Sequence, residues 1–244
     1  MWGYFFLGTL TWPLAFLFFK FLFNDSVVAS YSVSIFHGAL TSMAGVITCK
    51  LTDSLDLIYG RAILESLSDN FSFVDLYASF SISYFAFDMV FLWKISDKIS
   101  SAALRTFIGH HIYVLFLTLV VIFFRNGKGD YFIGCFFIFE FSNIFQNLRA
   151  ILSHLGWKNS RLYVVNGVLM MISFFFCRLY MVYYMYSSYA SYKSLDSVFG
   201  AFLTLPVVCN VGTASITLLQ VYWWVLMVQG AAKLITKVSK HKIQ

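Results

Sequence analysis

Apolar residues in this sequence run in seven long stretches, and short polar segments separate them. A helix of about 20 apolar residues crosses the hydrocarbon core of a bilayer. The pattern therefore predicts an all-α polytopic membrane protein with about seven transmembrane helices. The predicted spans are residues 1–23, 27–49, 73–93, 108–124, 131–152, 163–187 and 202–228.

Composition supports a membrane protein. The chain is 60% hydrophobic and only 11% charged, whereas roughly a quarter of the residues in a soluble domain are charged. We expect the first stretch to be a retained span, since it lacks the early basic region of a signal peptide and is too long for one. The predicted organisation is residues 1–26 as a first span with its loop, 27–230 as the main membrane domain, and 231–244 as a basic tail.

The distribution of Lys and Arg predicts the orientation of the chain. Of the seventeen Lys and Arg residues, eleven fall on the side of the carboxyl-terminal tail, five fall on the opposite side, and Arg178 lies within a span. Because cytoplasmic segments collect basic residues, we expect a cytosolic carboxyl terminus and a lumenal amino terminus.

The end of the tail carries a candidate address. Lys240 and Lys242 stand fifth and third from the carboxyl end, which resembles the dilysine signal that returns membrane proteins to the endoplasmic reticulum. Such a signal is read by a receptor and is not an anchor. A COPI coat is therefore an expected partner. The expected location is the endoplasmic reticulum, with cycling to the Golgi. The alternative is that these lysines only fix the orientation of the last span.

The cysteines suggest no chemistry. Cys49, Cys135, Cys177 and Cys209 fall inside apolar stretches or at their ends, with no spacing typical of a zinc site or a redox pair. We expect small buried side chains. The sequence also lacks a phosphate-binding loop and a metal-ligand cluster, so we expect no metal and no bound cofactor.

Several polar side chains interrupt the predicted spans, where burial in hydrocarbon is costly and favours a functional role. Glu140, Asn143 and Asn147 step by three and four residues and share one helix face. These groups predict an intramembrane cavity that is open to water at its cytosolic mouth. The full set is His37, Asp88, His110, His111, Glu140, Asn143, Asn147, Arg178 and Gln220.

Two of these groups carry opposite charge at a similar depth. Glu140 and Arg178 each lie about 14 Å from the lumenal end of their predicted spans, at about 1.5 Å per helical residue. A buried charge is stabilised by a partner, so we predict that they form an ion pair. The pair could serve the cavity or only hold two helices in register.

Five blocks in order resemble the TLC-domain family, and the fourth is most similar to the subfamily of small TLC domain-containing proteins 4. This family groups translocation-associated membrane proteins, ceramide synthases and a ceroid-lipofuscinosis protein. The resemblance implies a helical bundle around a lipid cavity in the secretory pathway. The blocks are Gly109-His110-His111, Tyr84-Phe85-Ala86-Phe87-Asp88, Glu140-Phe141-Ser142 with Asn147-Leu148-Arg149, Val165 to Met170 with Phe176-Cys177-Arg178, and Gln220-Val221-Tyr222-Trp223.

In ceramide synthases the paired histidines belong to a site that transfers an acyl group from coenzyme A to a sphingoid amine. The resemblance therefore implies catalytic roles for His110 and His111, as base or acyl carrier. Asp88, an acidic residue within the third predicted span, is expected either to line the cavity or to be the acidic neighbour of these histidines. Of the two, His111 is expected to face the cavity. Acyl coenzyme A would be the co-substrate. Substrate contacts are expected from His37, Glu140, Asn143, Asn147, Arg178, Gln220 and Trp223.

The chain also departs from that branch. It lacks the additional His-Asp run found downstream of the first pair in ceramide synthases, and Ser142-Asn143-Ile144 replaces the usual Ser-Thr-Pro. Three functions stay open: a lipid-binding protein of the endoplasmic reticulum with acyl transfer, a non-enzymatic lipid sensor of the same fold, and a trafficking receptor between the endoplasmic reticulum and the Golgi.

Overall fold

The computed structural model of the protein describes residues 2–52, 56–62, 72–94, 96 and 101–241. The chain packs as two compact units, residues 1–164 and 165–244. A 3-10 turn (Trp157–Asn159) precedes α7, and a π-helical turn (Phe175–Tyr180) joins α7 to α8. The helices are α1 (Trp2–Phe23), α2 (Ser26–Leu51), α3 (Phe73–Lys94), α4 (Ser101–Phe124), α5 (Asp130–Ile138), α6 (Phe141–His154), α7 (Arg161–Phe174), α8 (Met181–Tyr192), α9 (Val198–Thr204) and α10 (Val207–His241).

Six helical segments in the described ranges are long and apolar enough to cross a bilayer, which confirms the prediction of an all-α polytopic membrane protein. Large apolar side chains such as Phe21, Phe124 and Val208 are exposed on their outer faces. Water disfavours so much exposed apolar surface, whereas hydrocarbon does not. The six segments are Trp2–Phe23, Ser26–Leu51, Phe73–Lys94, Leu104–Phe124, Arg161–Tyr192 and Val207–Lys233.

The stretch predicted as a fifth continuous span is divided between α5 and α6. Around the break the backbone stays helical, but the N–H groups of Phe139, Glu140 and Asn143 bond to carbonyls three residues earlier rather than four. The carbonyl of Glu140 also approaches α2, where a Cβ on Gly38 would lie only 3.0 Å away. This contact, which hydropathy does not encode, accompanies the break.

The fourth helix begins earlier than the sequence predicted. It starts at Ser101, whereas the apolar pattern placed its start at residue 108. Ala102, Ala103 and Leu104 are strong helix formers and extend the helix through a segment that hydropathy alone assigned to a connector. As a result, the histidine pair lies in the third turn of α4 and not at its entrance.

The last predicted span is interrupted at its proline. α9 ends at Thr204 and α10 begins at Val207, because the residue before a proline disfavours the helical conformation, and Leu205 is extended here. The Asn210 side chain donates to the carbonyl of Phe202 at 2.7 Å. The freed carbonyl is thus satisfied within the segment. α10 then continues through His241 into the predicted tail.

Unit 1 is built around α2, which packs against α1, α3, α5 and α6. It lies very close to α5, where a Cβ on Gly45 would lie 2.5 Å from the carbonyl oxygen of Gly134. Small residues allow such close helix contacts in membranes. On the other side, the buried Trp12 of α1 donates its indole N–H to Ser83 Oγ of α3 at 3.0 Å. Unit 1 is therefore a tightly packed bundle around one small-residue helix.

Candidate functional site

A histidine and a carboxylate form a buried pair between α3 and α4. His111 Nε2 lies 3.2 Å from Asp88 Oδ2, and the two side chains are 12% and 11% exposed. Both belong to helices that pack directly on each other in unit 1. The structure confirms that Asp88 is an acidic neighbour of the histidine pair.

Both ring nitrogens of His111 are engaged. Nδ1 lies 2.8 Å from the main-chain carbonyl oxygen of Phe107, one turn earlier in α4. Because a carbonyl oxygen can only accept, Nδ1 carries a proton and donates it. Nε2 and Asp88 then hold one proton between them, either as imidazolium with carboxylate or as neutral imidazole with a carboxyl group.

His110 lies beside this pair. Its ring is half-buried, and its centroid is 5.7 Å from that of His111 with an interplanar angle of 60°. Adjacent residues on a helix point about 100° apart, so the two imidazoles point in different directions. His111 is the one whose ring contacts Asp88 on α3, and the expectation that it faces a cavity stays a prediction.

His37 on α2 is enclosed and 1% exposed. Its Nε2 lies 2.8 Å from Ser81 Oγ and 3.2 Å from Thr41 Oγ1. The ring stacks on Tyr84 at a centroid separation of 3.6 Å and meets the edge of Trp12 at 5.3 Å. The partners of His37 are thus protein groups on three helices, and these contacts are those of a packing residue.

The polar residues around the α5–α6 break share one helix face, as their spacing predicted, and they hydrogen-bond to one another. Asn143 Nδ2 donates to Glu140 Oε2 at 2.5 Å, and Asn147 Nδ2 donates to the main-chain carbonyl of Asn143 at 2.8 Å. All three side chains are half-buried. They line one face of α6 with carboxylate and amide groups.

In unit 2, Arg178 and Gln220 come together. Arg178 is 3% exposed, and its Nη1 donates to Gln220 Oε1 on α10 at 2.9 Å. Arg178 lies in the π-helical turn, a feature often found at functional sites, and its guanidinium carbon is 5.1 Å from the Phe174 ring centroid. Trp223 is half-buried on α10, while its neighbour Trp224 stacks on Phe174.

Glu140 and Arg178 belong to different units, so the predicted ion pair between them stays a prediction. Lys242 lies outside the described residues, and Lys240 is described only in its backbone, within α10. Within the described ranges, no three His, Cys, Asp or Glu side chains converge as metal ligands would.

A network of two arginines and two aspartates, which we did not predict from the sequence, lies in unit 1 where α3 and α5 begin. Arg125 Nη2 lies 2.5 Å from Asp75 Oδ1, and its Nη1 contacts Asp130 Oδ1. Arg61 Nη2 lies 2.7 Å from the other oxygen of Asp75. The fully buried Asp130 also accepts the main-chain N–H of Ala62 at 2.8 Å. We call Arg61, Asp75, Arg125 and Asp130 the arginine–aspartate network.

The signal for part of this network was present in the sequence. Consecutive spans run antiparallel, so the start of the third and the end of the fourth lie on the same side of the membrane. Asp75 and Arg125 occupy those two ends. Opposite charges placed in this way predict a contact, although the participation of Arg61 from the long connector has no comparable signal.

Comparisons with known proteins agree with this architecture. The TLC domain profile matches residues 28–229. TLC domain-containing protein 4-B of Xenopus laevis is 28% identical over 149 residues, which cover 60% of this chain and 53% of that protein. The chain thus spans about half the length of this curated relative. No solved structure gives a significant match. The resemblance predicted from the five sequence blocks is confirmed, and the chain belongs to the TLC-domain family.

Proposed function

We propose that this protein binds a long-chain acyl or sphingolipid-type lipid in a cavity within the membrane, with the His111–Asp88 pair as a polar end of the binding site. The observation that carries the proposal is the 3.2 Å contact between these two side chains, both almost fully buried. Ionisable groups buried in apolar helices are costly and usually serve function. Membership of a family of lipid-associated membrane proteins supports a lipid as the ligand.

The ligand must match the chemistry of that pair. One proton lies between the imidazole and the carboxyl group, so the pair can both donate and accept a hydrogen bond. A lipid with hydroxyl and amine or amide groups next to long chains satisfies both demands. The half-buried Glu140, Asn143 and Asn147 add further acceptors and donors on α6.

Acyl transfer from coenzyme A is a second candidate function, and the acid partner of His111 favours it. In that reaction the amine nitrogen attacks the thioester carbonyl, the C–S bond breaks, and coenzyme A leaves as the thiol. The amine proton must pass to a base. The His111–Asp88 pair can accept that proton and return one to the departing sulfur, while the Phe107 carbonyl holds the Nδ1–H group and so keeps the ring oriented.

Both functions can be tested on the purified protein. Native mass spectrometry in mild detergent should detect a co-purified lipid in the wild type, and its occupancy should fall in His111→Gln and not in His154→Gln, which changes an exposed histidine at the end of α6. Turnover of acyl coenzyme A with long-chain amines would establish the transferase. Bound lipid without turnover of acyl coenzyme A would indicate a binding protein without transferase activity. Equal lipid occupancy in both variants would overturn the proposal.

The location in the endoplasmic reticulum is a separate proposal, since it rests on Lys240 and Lys242 at the carboxyl end. Replacing both lysines with Ser should move the protein from the endoplasmic reticulum to later compartments, as seen by microscopy of the tagged chain. The matched control is Lys233→Ser with Lys237→Ser, which removes equal charge from the preceding turns. Retention of the Lys240 and Lys242 variant would contradict the proposed dilysine address.

A further inference from the structure

Two cysteines that are far apart in the sequence meet between α2 and α5. Cys49 Sγ lies 3.9 Å from Cys135 Sγ, although 86 positions separate the residues. Cys135 is 1% exposed and Cys49 is half-buried. Neither residue has another cysteine nearby in the chain, so the sequence does not predict this pair.

The backbones of the two helices are unusually close at this point. A Cβ placed on Gly134 would lie 2.9 Å from Cys49 Sγ and equally near the Thr48 side chain, and one on Gly45 would approach the Gly134 carbonyl. Cys49 Sγ also reaches to 3.6 Å from the main-chain oxygen of Tyr131 on α5. Disulfides need such proximity, with Cβ atoms about 3.5 to 4.5 Å apart.

We propose that Cys49 and Cys135 are a redox-active pair that forms a reversible disulfide joining α2 to α5. The sulfur atoms must approach by about 1.9 Å to reach the bond length of about 2.0 Å, which side-chain rotation can provide. Cys49 precedes the end of α2 by two residues, and Cys135 follows the start of α5 by five. Cys49 therefore lies in the last turn of α2, whereas Cys135 lies within the short helix α5.

The chemistry requires a disulfide as oxidant, and oxidised glutathione represents the class. The more exposed Cys49 attacks first as thiolate, so that a Cys49–glutathione bond forms while the glutathione S–S bond breaks and one reduced glutathione leaves. Cys135 then attacks Cys49 Sγ and releases the second glutathione. In total two thiols lose two electrons and two protons, and one glutathione disulfide becomes two thiols.

Counting reactive thiols tests the pair. The purified protein is treated with oxidised glutathione or dithiothreitol, then denatured and labelled with a maleimide of defined mass. We expect four labels on the reduced chain and two on the oxidised chain, with a Cys49–Cys135 peptide in the non-reduced digest. A Cys177→Ser, Cys209→Ser variant should pass from two labels to none. These two cysteines are the internal control, since the disulfide excludes them.

Single substitutions make the result decisive. In Cys135→Ser the oxidant should leave one glutathione on Cys49, since the second thiol is missing. The oxidised wild type should melt several degrees higher than the reduced protein, because a cross-link restricts the unfolded chain. Four reactive thiols after oxidation would overturn the proposal, as would glutathione bound to wild-type Cys49 with no internal bond, or disulfides between chains.

Discussion

Two groups of ionisable side chains in the described part of unit 1 differ in what they can do. The arginine–aspartate network pairs two guanidinium groups with two carboxylates. The His111–Asp88 pair combines one imidazole with one carboxyl group. Arginine does not release its proton in proteins, whereas histidine exchanges one near neutral pH. The network can therefore only hold charge in place, while the pair can take part in proton transfer and ligand binding.

Burial of charge alone therefore does not identify a functional site. The network joins the connector before α3, the start of α3 and the start of α5, and its formal charges cancel. These ion pairs hold the segments together at one end of unit 1. The His111–Asp88 pair joins two neighbouring helices within their length, and the position of its proton depends on the surroundings.

The largest expected effect comes from breaking the network. Arg125→Met leaves the buried Asp75 and Asp130 without their shared guanidinium, and removing one partner of a buried ion pair costs about 3–5 kcal/mol. We expect a large drop in the melting temperature of the protein in detergent, which is measured by tryptophan fluorescence. Arg105→Met, which changes an exposed arginine of α4, is the control. Equal melting of the two variants would show that the network does not stabilise the fold.

His37 tests whether a histidine near the pair belongs to the fold or to the site. His37→Ala leaves a cavity beside Tyr84 and removes the bonds to Ser81 and Thr41, so we expect a loss of about 2–4 kcal/mol in the free energy of unfolding. The lipid occupancy of the protein that remains folded should stay near the wild-type value. A loss of occupancy without a loss of stability would move His37 into the binding site.

The smallest effect is expected at Asp25, an exposed counterpart of the buried groups. Its carboxylate accepts the N–H groups of Val27 and Val28 at the start of α2 and lies 2.9 Å from His154 Nε2. The hydrogen bond from His154, followed by that from the Val28 N–H, lowers the pKa of Asp25. Because the pKa is lower in the folded state, the carboxylate stabilises the fold at pH values above its ordinary pKa of about 4. This stabilisation is lost as the pH falls through the lowered pKa.

Asp25→Asn should therefore melt slightly below the wild type at neutral pH, and the difference should vanish as the pH falls through the lowered pKa. Asp25→Ala also loses the helix cap, which costs about 1 kcal/mol at any pH. Melting temperatures measured between pH 3 and pH 7 separate the two contributions. A gap between wild type and Asp25→Asn that widens on acidification would contradict the assigned sign.

The sequence predicted those parts of the fold that depend on apolar length. The boundaries of α1, α2 and α3 follow from hydropathy within a few residues. The break at Phe139 and Glu140 could not be predicted, since it coincides with the approach of a carbonyl to Gly38 of another helix. For the same reason the Cys49–Cys135 contact was invisible: it depends on how closely Gly45 and Gly134 let two helices pack.

At the candidate site, residue type was more informative than position. Asp88 is an acidic residue within a predicted span, which made it a candidate neighbour of the histidine pair or a group lining the cavity, and Asp88 and His111 do meet. The enclosure of His37 by Tyr84, Ser81 and Trp12 could not be predicted, since it depends on the rotation of α2 about its axis.

We propose that His111 and Asp88 serve ligand binding, whereas the arginine–aspartate network serves the fold. The most direct test measures lipid affinity and melting temperature together for His111→Gln, Asp88→Asn and Arg125→Met. The two site variants should bind lipid about ten- to a hundredfold more weakly, since each loses a hydrogen bond to a charged group, and should melt well above Arg125→Met. Wild-type lipid affinity in both His111→Gln and Asp88→Asn would contradict the claim.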